Sequence, residues 1–141
     1  DIGDEHTVHP RVKTTVSRRL VDWALANVYG KKGLEFASPV FKSMQISRDT
    51  INVQFDHVEN GLTSFGREIT GFELAGADSV FYPAHAVITG KGIRLTAARV
   101  KKPVAARYDF RDWVQGDLFG VDGLPVTPFR SDLWEKEYYN Q

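Results

Sequence analysis

Phe41-Lys42-Ser43-Met44-Gln45-Ile46-Ser47-Arg48-Asp49-Thr50-Ile51-Asn52-Val53-Gln54-Phe55 is the stretch that decides the fold. From Thr50 onward it alternates, with Ile51, Val53 and Phe55 on one face and Asn52 and Gln54 on the other. A period of two marks a strand with one buried face. Ser47-Arg48-Asp49 is turn chemistry, so residues 41–46 and 50–55 are expected to pair as a hairpin.

The same texture continues downstream. Short runs rich in Val, Ile, Phe and Tyr predict strands over 70–75, 86–89, 92–96 and 104–108. Glu59-Asn60-Gly61 and Gly90-Lys91-Gly92 read as turns. Short strands punctuated at such intervals predict an antiparallel β-sandwich. The tail, residues 111–141, is irregular and aromatic, with Trp113, Phe119, Phe129, Trp134, Tyr138 and Tyr139. Phe119-Gly120-Val121-Asp122-Gly123-Leu124-Pro125 within it is turn chemistry. A long segment without regular structure is expected to be functional or packed onto a neighbour, and packing is the reading adopted for the tail.

Upstream the period changes from two to that of a helix. Val12, Val16, Leu20, Trp23, Ala24 and Val28 form one apolar stripe across 11–29. Pro10 suits a helix first turn, and Gly30 with Lys31-Lys32-Gly33 reads as its stop. Such a face must pack on something. Residues 34–39 read as a linker. The chain therefore divides into a loop plus helix, 1–33, and a β module, 34–141.

Composition excludes several classes. Basic and acidic side chains number 18 each, so no field of one sign favours nucleic acid or an anionic membrane. There is no Cys, which removes thiol chemistry. No run approaches the roughly 20 apolar residues of a transmembrane helix. No Gly-rich phosphate loop is present, and no cofactor is expected.

The residues that could carry chemistry gather at the start, in Asp1-Ile2-Gly3-Asp4-Glu5-His6-Thr7-Val8-His9-Pro10. Histidine is the usual general base near neutral pH, and His9 sits at a loop-to-helix junction with its backbone restricted by Pro10. Position alone leaves it a general base or an exposed or capping histidine. Asp4 and Asp1 are candidates to orient it through Nδ1, although Asp4 also suits a turn or cap after Gly3. A cation held by His6, His9, Asp1 and Asp4 is the runner-up, but no matching ligand spacing recurs downstream, so no metal is expected. His57 and His85 fall at strand edges and read as surface histidines. Ser17, Ser38, Ser43, Ser47, Ser64, Ser79 and Ser131 all lack the elbow or Gly-Asp-Ser turn of a hydrolytic nucleophile. The chain thus offers a base without a nucleophile.

Several stretches together resemble the C-terminal end of the sialate O-acetylesterases, a branch of the SGNH (GDSL-type) hydrolases. They are Asp1-Ile2-Gly3-Asp4 through Val8-His9-Pro10 with Arg18-Arg19-Leu20 and Trp23-Ala24-Leu25-Ala26; Lys42-Ser43-Met44, Phe55-Asp56-His57-Val58 and Gly71-Phe72-Glu73-Leu74-Ala75-Gly76-Ala77-Asp78; and Pro103-Val104-Ala105-Ala106-Arg107-Tyr108, Gly123-Leu124-Pro125 and Pro128-Phe129-Arg130. The resemblance implies a mixed fold: the last loop and helix of an α/β/α SGNH esterase domain, followed by an antiparallel β-sandwich accessory module. It implies that His9 is the catalytic histidine, and that the nucleophilic Ser and the oxyanion hole lie on an upstream segment or companion chain. The substrate would be an O-acetylated sugar, sialic acid or similar, and the location periplasmic or secreted. One departure is visible. The SGNH pattern places Asp three residues before the His, and His6 stands there. The orienting group is then Asp4, Asp1 or a backbone carbonyl, with Asp4 favoured. The alternatives are an acetylxylan-type esterase, and a non-catalytic sugar-binding or structural β-sandwich. The start without an initiator Met reads as a cut inside a longer protein.

Overall fold

The computed structural model of the chain describes residues 1–134. Helix α1 (Lys13–Asn27) comes first. The strands follow: β1 (Val40–Ser47), β2 (Thr50–Asp56), β3 (Leu62–Thr63), β4 (Phe72–Ala75), β5 (Phe81–Pro83), β6 (His85–Thr89), β7 (Gly92–Thr96), β8 (Ala105–Tyr108), β9 (Phe119–Gly120) and β10 (Phe129–Arg130).

The β1–β2 hairpin forms where the alternation places it, with Ser47 opposite Thr50 across a tight Arg48-Asp49 turn. Ile51, Val53 and Phe55 are buried and Gln54 is exposed. β7 repeats the pattern, burying Ile93 and Leu95 and exposing Arg94. One antiparallel sheet has the order β1-β2-β7-β6, and another has the order β10-β8-β4-β5. Their apolar faces meet in one core that joins Ile51, Val53, Ile93 and Leu95 to Phe72, Leu74, Ala106 and Tyr108. Phe129 of β10 links the layers: its ring stacks on Phe41 at 4.5 Å and meets Phe55 edge-on at 6.0 Å. The β module is therefore a sandwich closed by its own side chains.

Several strands differ from the sequence expectation. β4 begins at Phe72 and not at residue 70, because the N–H groups of Thr70 and Gly71 both donate to the Asp117 carboxylate. The short strands β3, β5, β9 and β10 are absent from the sequence reading, because two or three residues carry no period. The tail, expected to be irregular, supplies β9 and β10 and packs onto this chain's own sheets, with Phe119 and Phe129 buried. Trp134 meets Phe81 edge-on at 5.9 Å. Tyr138 and Tyr139 lie outside the described residues.

On the outer side of β8, Arg107 donates from Nε and Nη2 to Asp132, each bond 2.8 Å, and its guanidinium lies 3.8 Å from the Phe81 ring centre. The arginine holds the Asp132 carboxyl below the usual carboxylate range. A bidentate geometry of this kind is what offsets the desolvation of a buried ion pair.

The helix is shorter than the stripe suggests. It runs 13–27, not 11–29, and Val12 precedes it without a capping side chain. Pro10 lies outside it. Asp4 accepts the His6 N–H at 3.0 Å, and Thr7 Oγ1 accepts the His9 N–H at 3.2 Å. These side-chain bonds hold the backbone in turns and keep it out of the helix. Past the C-terminal end, the Lys31 N–H closes onto the Leu25 carbonyl at 2.9 Å beside Gly30, whose φ is +65°. No residue of α1 is buried. A concavity of about 540 Å³ separates part of it, including Thr15 and Asp22, from the turn 122–124 of the sandwich.

Candidate active-site loop and adjoining cleft

The opening segment is ordered by ion pairs that its charge pattern did not reveal. Asp1 accepts both Nη groups of Arg19 on α1, at 2.9 and 2.7 Å. Asp4 pairs with Arg11 Nε at 2.9 Å. Both carboxylates expected to orient His9 are thus engaged by arginines. The structure places Asp1, Asp4 and His9 on the same short loop, but neither acid is bonded to the imidazole. His9 is exposed, and its ring makes no hydrogen bond among the described residues. It is free to meet a group from elsewhere. His57, at the end of β2 with φ +61°, and His85, at the start of β6, are both exposed.

Among the described residues no serine hydroxyl is bonded to a histidine. Ser79 has a positive φ of 61° but sits exposed in the turn between β4 and β5, where Asp78 accepts the Val80 N–H. Also among the described residues, no group of three or more His, Asp or Glu side chains gathers in metal-binding geometry.

A cleft of about 380 Å³ lies where the opening segment meets the loop between β8 and β9. Asp4, Glu5, His6 and Arg11 line one wall, and Trp113 and Gln115 the other. The sequence reading placed Trp113 in an aromatic tail without assigning it to a site.

The loop carrying Trp113 is fixed at both ends. Asp109 and Asp117 are buried, and the core residue Tyr108 lies beside them. The Tyr108 hydroxyl donates to Asp117 Oδ1 at 3.2 Å and accepts the N–H groups of Asp117 and Leu118 at 3.2 and 3.0 Å. Burial above all, then the charges of Asp109 and Asp117, push this phenol above its ordinary range. Asp109 has φ +47°, and its Oδ1 is buried without a hydrogen-bond partner among the described residues. Burial, reinforced by the Asp117 charge, pushes its carboxyl up to about 6. Gly71 makes the room: a Cβ there would collide with Asp109 Oδ1. None of this has a local sequence signature, because the partners lie just before β4, on β8 and in the loop after β8.

No protein-family model matches the chain, and no curated protein matches it. Among solved structures, the chain is similar to a protein described as a novel carbohydrate acetylesterase from Xanthomonas citri. The likeness has a TM-score of 0.84 at 35% sequence identity and covers 95% of this chain. The chain spans 31% of that protein's length.

Proposed function

We propose that this chain is the C-terminal portion of a serine carbohydrate esterase and that His9 is its general base. The observation that carries the reading is the likeness, over 95% of the chain, to a carbohydrate acetylesterase about three times as long. The exposed His9 ring and the uncovered apolar side of α1 support it. Residues 1–33 would close the esterase domain, and residues 34–141 would form its accessory sandwich.

In this mechanism a serine on an upstream segment attacks the acetyl carbonyl of an O-acetylated sugar while His9 takes its proton. His9 returns the proton to the departing sugar oxygen, leaving an acetyl-serine. Water, deprotonated by His9, then attacks the acyl carbon, the bond to the serine oxygen breaks, and His9 returns the proton to that oxygen as acetate leaves. Asp4 and Asp1 remain the candidates to orient His9, and for either to do so it would have to leave or share its arginine. Sialic acid and an acetylated xylan are competing substrates, distinguished by acetate release from each.

The test is His9→Ala in the longer enzyme. The expected result is a loss of kcat of at least ~10³-fold with the fold intact, as for removal of a member of a catalytic triad. Retained turnover overturns the role of His9. A second reading, a sugar-binding module without catalysis, draws on the absence of a serine–histidine pair among the described residues and on the exposure of Trp113. Purified longer protein that binds sugars and releases no acetate would favour it.

A further inference from the structure

We infer that the cleft between the opening segment and the Trp113 loop is a subsite for a neutral sugar ring, with Trp113 as its platform. The inference rests on the esterase reading for its biological setting and on the cleft's own chemistry for its ligand.

Trp113 is 46% exposed, although the same chain fully buries Phe72 and Tyr108. An indole left to water at the lip of a cleft offers a flat, electron-rich face. The C–H-rich face of a pyranose packs on such a ring, while its hydroxyls point sideways to polar partners. The other wall supplies those partners. Glu5 accepts from hydroxyls, His6 can donate or accept, and Gln115 beside the indole does both. The volume of about 380 Å³ lies within the span of small-molecule sites and holds a sugar unit with its water.

The walls are also held in place before any ligand arrives. Asp109 and Asp117 anchor the loop at its ends, and Arg111 beside the first anchor pairs with Glu73 of β4 at 3.0 Å. The Asp1–Arg19 and Asp4–Arg11 pairs hold the facing segment. Walls tethered at these points lower the ordering cost of binding. The charges choose among sugars. Arg11 in the cleft wall and Arg19 behind it are each paired with a carboxylate, and Glu5 adds a negative charge. A carboxylate-bearing sugar would face Glu5 with no unpaired arginine to meet it, whereas a neutral ring carries no such conflict.

The experiment follows the Trp113 indole N–H by NMR, assigned through its loss in Trp113→Phe, while the chain is titrated with xylotriose and separately with a methyl sialoside. A saturable wild-type indole shift with xylotriose at millimolar Kd, together with binding read at the Gln115 side-chain amide that is weakened at least ~5-fold in Trp113→Ala and largely kept in Trp113→Phe, supports the subsite. An indole unmoved up to about 50 mM xylotriose, or equal binding by Trp113→Ala, overturns it. Sialoside binding as tight as xylotriose overturns the neutral-ring assignment. In the longer enzyme the subsite predicts a raised KM with kcat kept in Trp113→Ala. His9→Ala reads the catalytic step through kcat, so the two proposals fail separately.

Discussion

Ile51, Val53 and Phe55 of β2 are buried, whereas Leu20 and Trp23 of α1 keep more than half of their surface exposed. Both sets were read from the same kind of evidence, apolar residues repeating at a structural period. The sandwich finds its partner within the chain, because the facing sheet arrives through β4 and β8. Among the described residues, none packs α1 deeply enough to bury any of its side chains. A fifteen-residue helix is marginal in water without packing, and among the described residues the Arg19–Asp1 ion pair ties this one to the opening segment. An apolar stripe therefore states that a partner is needed without saying where it is. On the proposed reading, the partner is the esterase domain.

Three perturbations break or sharpen that contrast. The largest is Phe72→Ala. Phe72 is fully buried and tilts against Tyr108 at 4.6 Å, so its loss should cost about 3–5 kcal/mol, read as a lower urea midpoint. A cost below ~1 kcal/mol would mean that the sandwich is not the cooperative unit.

Next comes Asp109→Asn. The folded pKa of Asp109, about 6, lies above its ordinary value of 3.8. The folded state therefore holds a proton that the unfolded chain gives up, and wild-type stability falls as pH rises from about 4 to about 6 and then levels off. The amide removes that loss. Asp109→Asn should match wild type near pH 4 and gain on the order of 2 kcal/mol at pH 8, seen as a Tm higher by several degrees. Equal Tm at pH 8 would refute the buried, proton-holding carboxyl. Asp132 behaves in the opposite sense. Its carboxyl is held low by Arg107, so its contribution is present above the ordinary carboxylate range and fades as acid protonates it.

The smallest effect belongs to the helix. Leu20→Ala and Trp23→Ser should each change stability of this chain by less than ~0.5 kcal/mol, read as an unchanged urea midpoint. A cost near that of Phe72→Ala would show the helix face packed within this chain and erase the contrast.

The site divides along similar lines. His9 was singled out by a local feature, a histidine followed by Pro ahead of a helix, and its role as general base is the proposal made above. Its surroundings were not legible. Asp1 meets an arginine eighteen residues on, and Asp117 is placed by Thr70 and Tyr108. Spacing along the chain carries no trace of such pairs.

By itself the sequence determined what is local: the two-residue period of β2 and β7, the turns at Arg48-Asp49 and Gly90-Lys91, the helical stripe, and the order of helix before sheet. Each follows from backbone geometry and from which side of an element is apolar. Only the tertiary structure decided that Phe129 enters the core from the tail, that Asp1 and Asp4 are held by arginines, and that Trp113 faces the opening loop. The Phe129 and Trp113 outcomes depend on residues far apart in the chain meeting once the sheets have closed, and the arginine pairs depend on how the opening loop folds back on α1.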